Sequence, residues 1–112
     1  MNYIKYNKND KEILLPIVVN FSALRKFQTQ TKVAYNDIEA IIADLELLEQ
    51  MFWYSLESGA KASGEELKIS REESEDVLNN GFGDYIKIFM EDVVKIFTPS
   101  STSTTPEETK KK

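Results

Sequence analysis

The feature that most constrains the fold is a run of apolar residues at helical spacing in the middle of the chain. At about 100° per residue, these residues fall within one broad stripe: Ile38, Ile41, Ile42, Leu45, Leu48, Phe52 and Leu56. Such a stripe is typical of an amphipathic helix that buries one side against a core. We therefore predict a long central helix that begins at Asn36 or Asp37 and ends near Ala62, with Gly59 and Gly64 marking its end.

The N-terminal segment has the pattern of a β-hairpin. Two strand-like runs, at residues 3–6 and 13–19, flank the sequence NKNDK at residues 7–11. Asn and Asp favour turns because their side chains bond nearby backbone groups and tolerate left-handed geometry. Pro16 has no amide hydrogen, so the second strand is predicted to lie at a sheet edge or a bulge. Because a two-stranded hairpin is only marginally stable alone, we expect it to pack on the helices.

A short helix is predicted directly after the hairpin. Asn20 or Ser22 is its N-cap, since both side chains can accept from the first amides of a helix, and it ends near Thr29. The residues predicted to share one side of it are Phe21, Leu24 and Phe27.

Two more helices are predicted towards the C-terminus. Ser70 and Glu73 form a capping box that begins the first of them, and Asn80 with Gly81 ends it. The last helix runs from Gly83 to position 97. Its predicted buried side consists of Phe82, Ile86, Phe89, Val93 and Phe97.

These elements predict a mostly α fold, a single small helical domain over residues 1–97 with a short N-terminal β-hairpin. The composition changes at residue 98, because residues 98–106 contain only Thr, Ser and Pro. Such a segment has too little apolar surface to offset the entropy of ordering it. Residues 98–112 are therefore predicted to be a disordered Ser/Thr/Pro tail that ends in three lysines.

The residue types argue against catalysis. The chain has no histidine and no cysteine, which removes the usual general base near neutral pH and the thiolate ligands of metal sites. The adjacent pairs Glu65-Glu66 and Glu72-Glu73 would point about 100° apart on a helix, which is typical of solvated surface. No Walker-type phosphate loop and no EF-hand spacing is present. We predict no enzymatic activity, no catalytic residue, no cofactor and no metal.

Charge and hydropathy limit the other classes of partner. The net charge is -5, and the only cluster of basic residues is Lys110 to Lys112. Nucleic-acid binding requires clustered Lys and Arg, so it is not expected of the helical domain. The longest apolar runs, at residues 13–19 and 51–54, are too short to span a bilayer, and the first residues do not form a signal peptide. We therefore expect a cytosolic protein without a membrane partner.

The central helix has a second apolar side, opposite the core stripe. It consists of Ala40, Ala43, Leu47, Met51 and Tyr54, with Trp53 at its edge. Either another helix, for which the last one is the candidate, covers this side, or a partner protein does. Met and aromatic residues are favoured at adaptable binding surfaces. In the second alternative, the predicted partner-binding residues are Leu47, Met51, Trp53 and Tyr54.

In the order of its elements and in its spacing of apolar residues and glycines, the stretch from Leu15 to Val94 resembles the phage tail assembly chaperones of long-tailed bacteriophages. The resemblance lies in the end of the hairpin and the start of the next helix, in the end of the long helix, and in an acidic helix that follows a glycine. The corresponding sequences are LPIVVNF at 15–21, SALRKF at 22–27, FWYSLESGA at 52–60, GEELKIS at 64–70 and DVL at 76–78.

This resemblance implies a role without a reaction. Members of the family bind the long helical tape-measure protein in the host cytoplasm and keep it soluble until the tail tube polymerises around it. The implied partners are therefore the tape-measure protein and possibly tail tube subunits, and self-association is a further possibility. The alternative interpretations are a virion structural component of a phage and a small cytosolic adaptor or regulatory protein.

Overall fold

The computed structural model describes residues 1–97, and the predicted tail at 98–112 lies outside this range. Two strands precede four helices in the described range: β1 (Asn2–Lys8), β2 (Lys11–Ile17), α1 (Phe21–Thr31), α2 (Ile38–Ala43), α3 (Leu45–Ser63) and α4 (Arg71–Phe97). The predicted fold class, mostly helical with an N-terminal hairpin, is confirmed. Within residues 1–97, no helix has both the length and the apolar character needed to cross a bilayer.

The hairpin forms as predicted, with a tight turn at Asn9 and Asp10. Strands β1 and β2 pair antiparallel. The φ angles of Asn9 and Asp10 are 54° and 65°, the left-handed geometry that a two-residue hairpin turn requires. Alternation along the strands places Ile4, Leu15 and Ile17 on the side that faces the helices, where all three are buried.

Helix α1 begins at the first of its two predicted caps. The Asn20 side chain accepts from the amide of Ala23 at 3.0 Å. Leu24 and Phe27 are buried, but Phe21 is 75% exposed, so its assignment to the buried side is wrong. Ala23, which is fully buried, completes that side instead. The reason is geometric, because Phe21 and Phe27 lie about 120° apart around the helix.

The long central helix predicted from the apolar stripe is interrupted at Asp44. Asp37 caps α2 as predicted, but Asp44 has extended backbone angles, φ -114° and ψ 109°. Its side chain accepts from the amides of Glu46 and Leu47 and so begins α3. Asp competes with helical hydrogen bonding inside a helix and is favoured as an N-cap. Leu45, which was predicted to be core, is the first residue of α3 and is 69% exposed.

The capping box at the start of α4 is confirmed. The Ser70 amide donates to the Glu73 carboxylate at 2.9 Å, and the Glu73 amide donates to the Ser70 hydroxyl at 3.2 Å. The two predicted C-terminal helices are consecutive parts of α4, separated by non-helical angles at Gly81, φ -127° and ψ 25°. Phe82, next to this kink, is exposed rather than buried, and Tyr85 is buried in the core instead.

Three other members of the predicted buried side of the last helix differ in outcome. Phe89 and Val93 are buried as predicted, and Ile86 is half-buried against the core. The prediction for the Phe97 side chain lies outside the described part of the chain.

Helix α3 is the centre of the fold, since it contacts α1, α2, α4 and β2. Its approach to β2 is close enough for the Val18 amide to donate to the carbonyl of Ser55 at 3.2 Å. The Ser55 hydroxyl in turn donates to the Met51 carbonyl at 2.7 Å and lies 3.3 Å from the buried hydroxyl of Tyr85. Helix α4 also packs on β1, so the hairpin and α4 contact each other as well as α3.

Candidate functional site

The predicted partner-binding residues lie on α3, but they do not form one surface. Met51 is completely buried, whereas Leu47, Trp53 and Tyr54 are half-buried and pack against the core. Leu47 and Tyr54 lie within about 20° of each other on one edge of the buried side, and Trp53 lies about 100° from Tyr54 on the opposite edge. An exposed contact by Met51 is therefore wrong for the folded chain, because the core covers its side chain. The partner-binding role of the other three residues stays a prediction.

Trp53 belongs to a polar cluster that joins α3 to the start of α4. The Arg71 guanidinium lies 5.6 Å from the centroid of the Trp53 ring. Arg71 also donates two hydrogen bonds to the carboxylate of Glu49, at 2.7 and 2.8 Å. Such a bidentate pair holds the two side chains in one relative orientation, and their opposite charges neutralise each other. The hydrogen bonds from Arg71 to Glu49 raise the pKa of Arg71 above its ordinary value, so this side chain is cationic at any physiological pH.

An open groove of about 650 Å³ lies between the same two helices, and Glu49 is one of its lining residues. We call it the α3–α4 groove. Its lining comes only from the first turns of α3 and the first half of α4: Leu45, Glu46, Leu48, Glu49, Glu75, Leu78, Asn79 and Phe82. The volume is within the range of about 300–1,000 Å³ that is common for binding sites.

The surface of the α3–α4 groove is apolar and accessible to solvent. Leu45 is 69% exposed and Phe82 is 42% exposed, while Leu78 is half-buried against the core. Leu45 is the first residue of α3, directly after the helix break at Asp44, and the kink at Gly81 immediately precedes Phe82. Contiguous apolar side chains at a surface cleft mark interaction sites more often than isolated exposed residues do.

The rim of the groove is acidic. Glu46, Glu49 and Glu75 contribute three carboxylates, and Arg71 neutralises only Glu49. Two amides at the α3 N-terminus are already occupied, because the Asp44 side chain accepts from those of Glu46 and Leu47 at 3.0 and 3.3 Å. The groove therefore has a negative electrostatic character that favours cationic side chains.

Most of the other buried polar side chains have structural partners, but the buried hydroxyl of Ser58 has no hydrogen-bond partner within residues 1–97. Asp92 accepts from the amide of Val19 at 3.0 Å and so ties the end of the hairpin to α4. Ser74 donates to the Arg71 carbonyl at 2.6 Å. Burial raises the pKa of the Tyr85 hydroxyl, which keeps this group neutral. Across residues 1–97, no three acidic side chains converge in a way that could hold a metal ion.

The sequence did not predict which residues line the α3–α4 groove, and Leu45 and Phe82 were assigned to the core. One local signal was present, since Leu78 and Phe82 are four residues apart and follow Glu75 on the same side of α4. That signal does not reveal which element lies opposite. The pairing of this side with the start of α3 is a property of the tertiary structure.

Comparison with protein-family models, with curated proteins and with solved structures found no match to this chain.

Proposed function

We propose that this chain is a non-enzymatic protein-binding protein that acts as a tail assembly chaperone, keeping the tape-measure protein soluble until a phage tail tube forms around it. The resemblance in the spacing of apolar residues and glycines suggests the class of partner, and the α3–α4 groove offers a surface for that partner. The observation that supports binding is the solvent-accessible apolar lining of this groove, with Leu45 and Phe82 at its open side.

The size of the apolar surface suits a reversible interaction. Complete burial of one Leu or Phe side chain stabilises a complex by about 1.5–3 kcal/mol. Because Leu45 and Phe82 are already partly covered, their further burial would contribute about 3 kcal/mol together, and the partner's side chains a similar amount. The entropy of association opposes this gain. A groove of this kind therefore favours weak, exchangeable binding, which an assembly chaperone needs in order to release its client.

The described groups with shifted pKa values have structural causes: the pair with Glu49 for Arg71, the capping box for Glu73 and burial for Tyr85. Catalytic groups, in contrast, combine a shifted pKa with a position in a cleft where a substrate can reach them. Arg71 is held by Glu49, and Tyr85 is enclosed in the core.

The test is co-expression with the tape-measure protein that the proposal implies, taken from the genome that encodes this chain. Wild-type chain is expected to raise the soluble fraction of the tape-measure protein, and the double variant Leu45→Glu/Phe82→Glu is expected to lose this effect. Both substitutions are at exposed positions, so the variant should fold, and circular dichroism checks this. The matched control is Leu14→Glu, because Leu14 is 48% exposed on the outer side of the hairpin.

Two results would contradict the proposal. The first is a tape-measure protein that is equally soluble with and without the chain. The second is full activity of the Leu45→Glu/Phe82→Glu variant, which would place binding elsewhere. Recovery of the chain in stoichiometric amounts from purified phage particles would favour the alternative of a virion component.

A further inference from the structure

We infer that the segment accepted by the α3–α4 groove is a basic amphipathic helix, which packs apolar side chains on Leu45, Leu78 and Phe82 and directs Lys or Arg side chains to Glu46 and Glu75. This inference rests on the proposed function, because it specifies the chemistry of the partner at the same groove. It adds the secondary structure of the bound segment, its length and the sign of its charge.

The lining of the groove favours a helix over an extended strand. All eight lining residues belong to α3 or α4, and neither helix offers the row of unpaired backbone groups that strand addition requires. Three amides of the first turn of α3 are also occupied, since those of Glu46 and Leu47 bond to the Asp44 side chain and that of Leu48 bonds to the Asp44 carbonyl. Contact with a partner is thus left to side chains, as in helix-in-groove recognition.

The dimensions of the groove set the length of the bound segment. Along α4 the lining extends from Glu75 to Phe82, a rise of about 10 Å. This corresponds to about two turns of a partner helix. Apolar side chains of the partner that are spaced i, i+4 and i+7 lie on one side over this length and match the apolar residues of the groove.

The charge of the rim determines which amphipathic helix fits. Glu49 is neutralised by Arg71, whereas Glu46 and Glu75 make no ion pair with any residue of the described range. Both carboxylates flank the apolar lining, so a partner with Lys or Arg beside its apolar stripe gains two ion pairs. A partner with Glu at the same positions would meet two like charges.

The test uses the full chain and two synthetic helical peptides. Both peptides have the same leucine stripe in an alanine-rich background, and the flanking positions are Lys in one and Glu in the other. Affinity is measured by fluorescence anisotropy of labelled peptide at low and at high salt. We expect the Lys peptide to bind about tenfold more tightly at low salt, since exposed ion pairs each change affinity by a small factor and like charges oppose binding. Salt should reduce the difference, because it screens exposed charges.

Two variants of equal charge change locate the effect. Glu46→Gln/Glu75→Gln should remove most of the preference for the Lys peptide. Glu12→Gln/Glu91→Gln, with both substitutions at exposed positions outside the groove, should retain it. Loss of binding of the Lys peptide in the Leu45→Glu/Phe82→Glu variant is expected as well, because the apolar contacts are then replaced by charge.

The inference is overturned if the two peptides bind with equal affinity, if neither binds, or if the Glu46→Gln/Glu75→Gln variant keeps the full preference. These failures are distinct from failure of the chaperone role. If the groove variant loses the tape-measure protein while neither peptide binds, the proposed function stands and the basic helix is wrong. If the Lys peptide binds the groove but tape-measure solubility is unaffected, the basic helix stands and the chaperone role fails.

Discussion

Replacement of Gly59 by alanine is predicted to destabilise this protein, although the same change favours helices in general. Gly59 lies inside α3, where alanine has a higher helix propensity than glycine by about 1 kcal/mol. At this position, however, α3 presses on β2. A Cβ added to Gly59 would overlap the carbonyl group of Pro16 and lie 2.6 Å from the Cα atom of Ile17.

The magnitude follows from the kind of atoms that are contacted. Overpacking costs about 1–3 kcal/mol when side chains can adjust and more when they cannot. The atoms that meet the new methyl group belong to the backbone of β2, so relief requires the strand to move away from α3. Because Ile17 is completely buried, that movement also opens the core. After the gain in helix propensity, we expect a net loss of about 2–4 kcal/mol, against a typical total stability of about 5–15 kcal/mol.

Urea denaturation, followed by circular dichroism and by the fluorescence of the single tryptophan, Trp53, measures this loss. The matched control is Gly83→Ala. Gly83 also lies in a helix, but no heavy atom would lie within 4 Å of an added Cβ. Gly83→Ala is therefore expected to stabilise the fold by about 0.4–1 kcal/mol. An unchanged or higher unfolding midpoint for Gly59→Ala would refute the close packing of α3 on β2.

Three further predictions concern the core and the pH dependence of stability. Phe52→Ala should lower the free energy of unfolding by about 3–5 kcal/mol because it leaves a cavity, whereas Leu45→Ala should change it by less than about 0.5 kcal/mol. Equal urea midpoints for the two variants would contradict the assignment of Phe52 to the core and Leu45 to the surface. The hydrogen bond from the Ser70 amide lowers the pKa of Glu73. The stability difference between wild type and Glu73→Gln should therefore be present above the ordinary glutamate pKa of about 4.3 and disappear as the pH falls below it. A difference that is constant from pH 7 to pH 3 would exclude this linkage. Burial raises the pKa of Tyr85, so wild type should lose stability as the pH rises above about 10, and Tyr85→Phe should lose less. Equal losses in the two proteins would mean that Tyr85 ionisation is not involved.

The helix and strand boundaries that depend on near neighbours could be predicted from the sequence. The capping box of Ser70 and Glu73 needs only two residues three positions apart, and the turn at Asn9 and Asp10 needs only residues that tolerate left-handed geometry. Asp44 is the exception among the local signals. A continuous apolar stripe that contains a possible capping residue is compatible with one long helix and with two shorter helices. The stripe suggested one helix, and the capping hydrogen bonds of Asp44 divide it into two.

Burial and the candidate site were decided by the tertiary structure. Met51 and Leu45 are both apolar residues of α3, yet Met51 is covered by the core and Leu45 is open to solvent. Periodicity gives the direction of a side chain around its own helix, but the element that covers it comes from a distant part of the chain. The sequence by itself determined which segments become helices and strands and where most of them are capped. Only the packing of α4 beside α3 determined that Leu45, Leu78 and Phe82 meet in one groove, because contacts between residues far apart in the chain are not encoded in any local pattern.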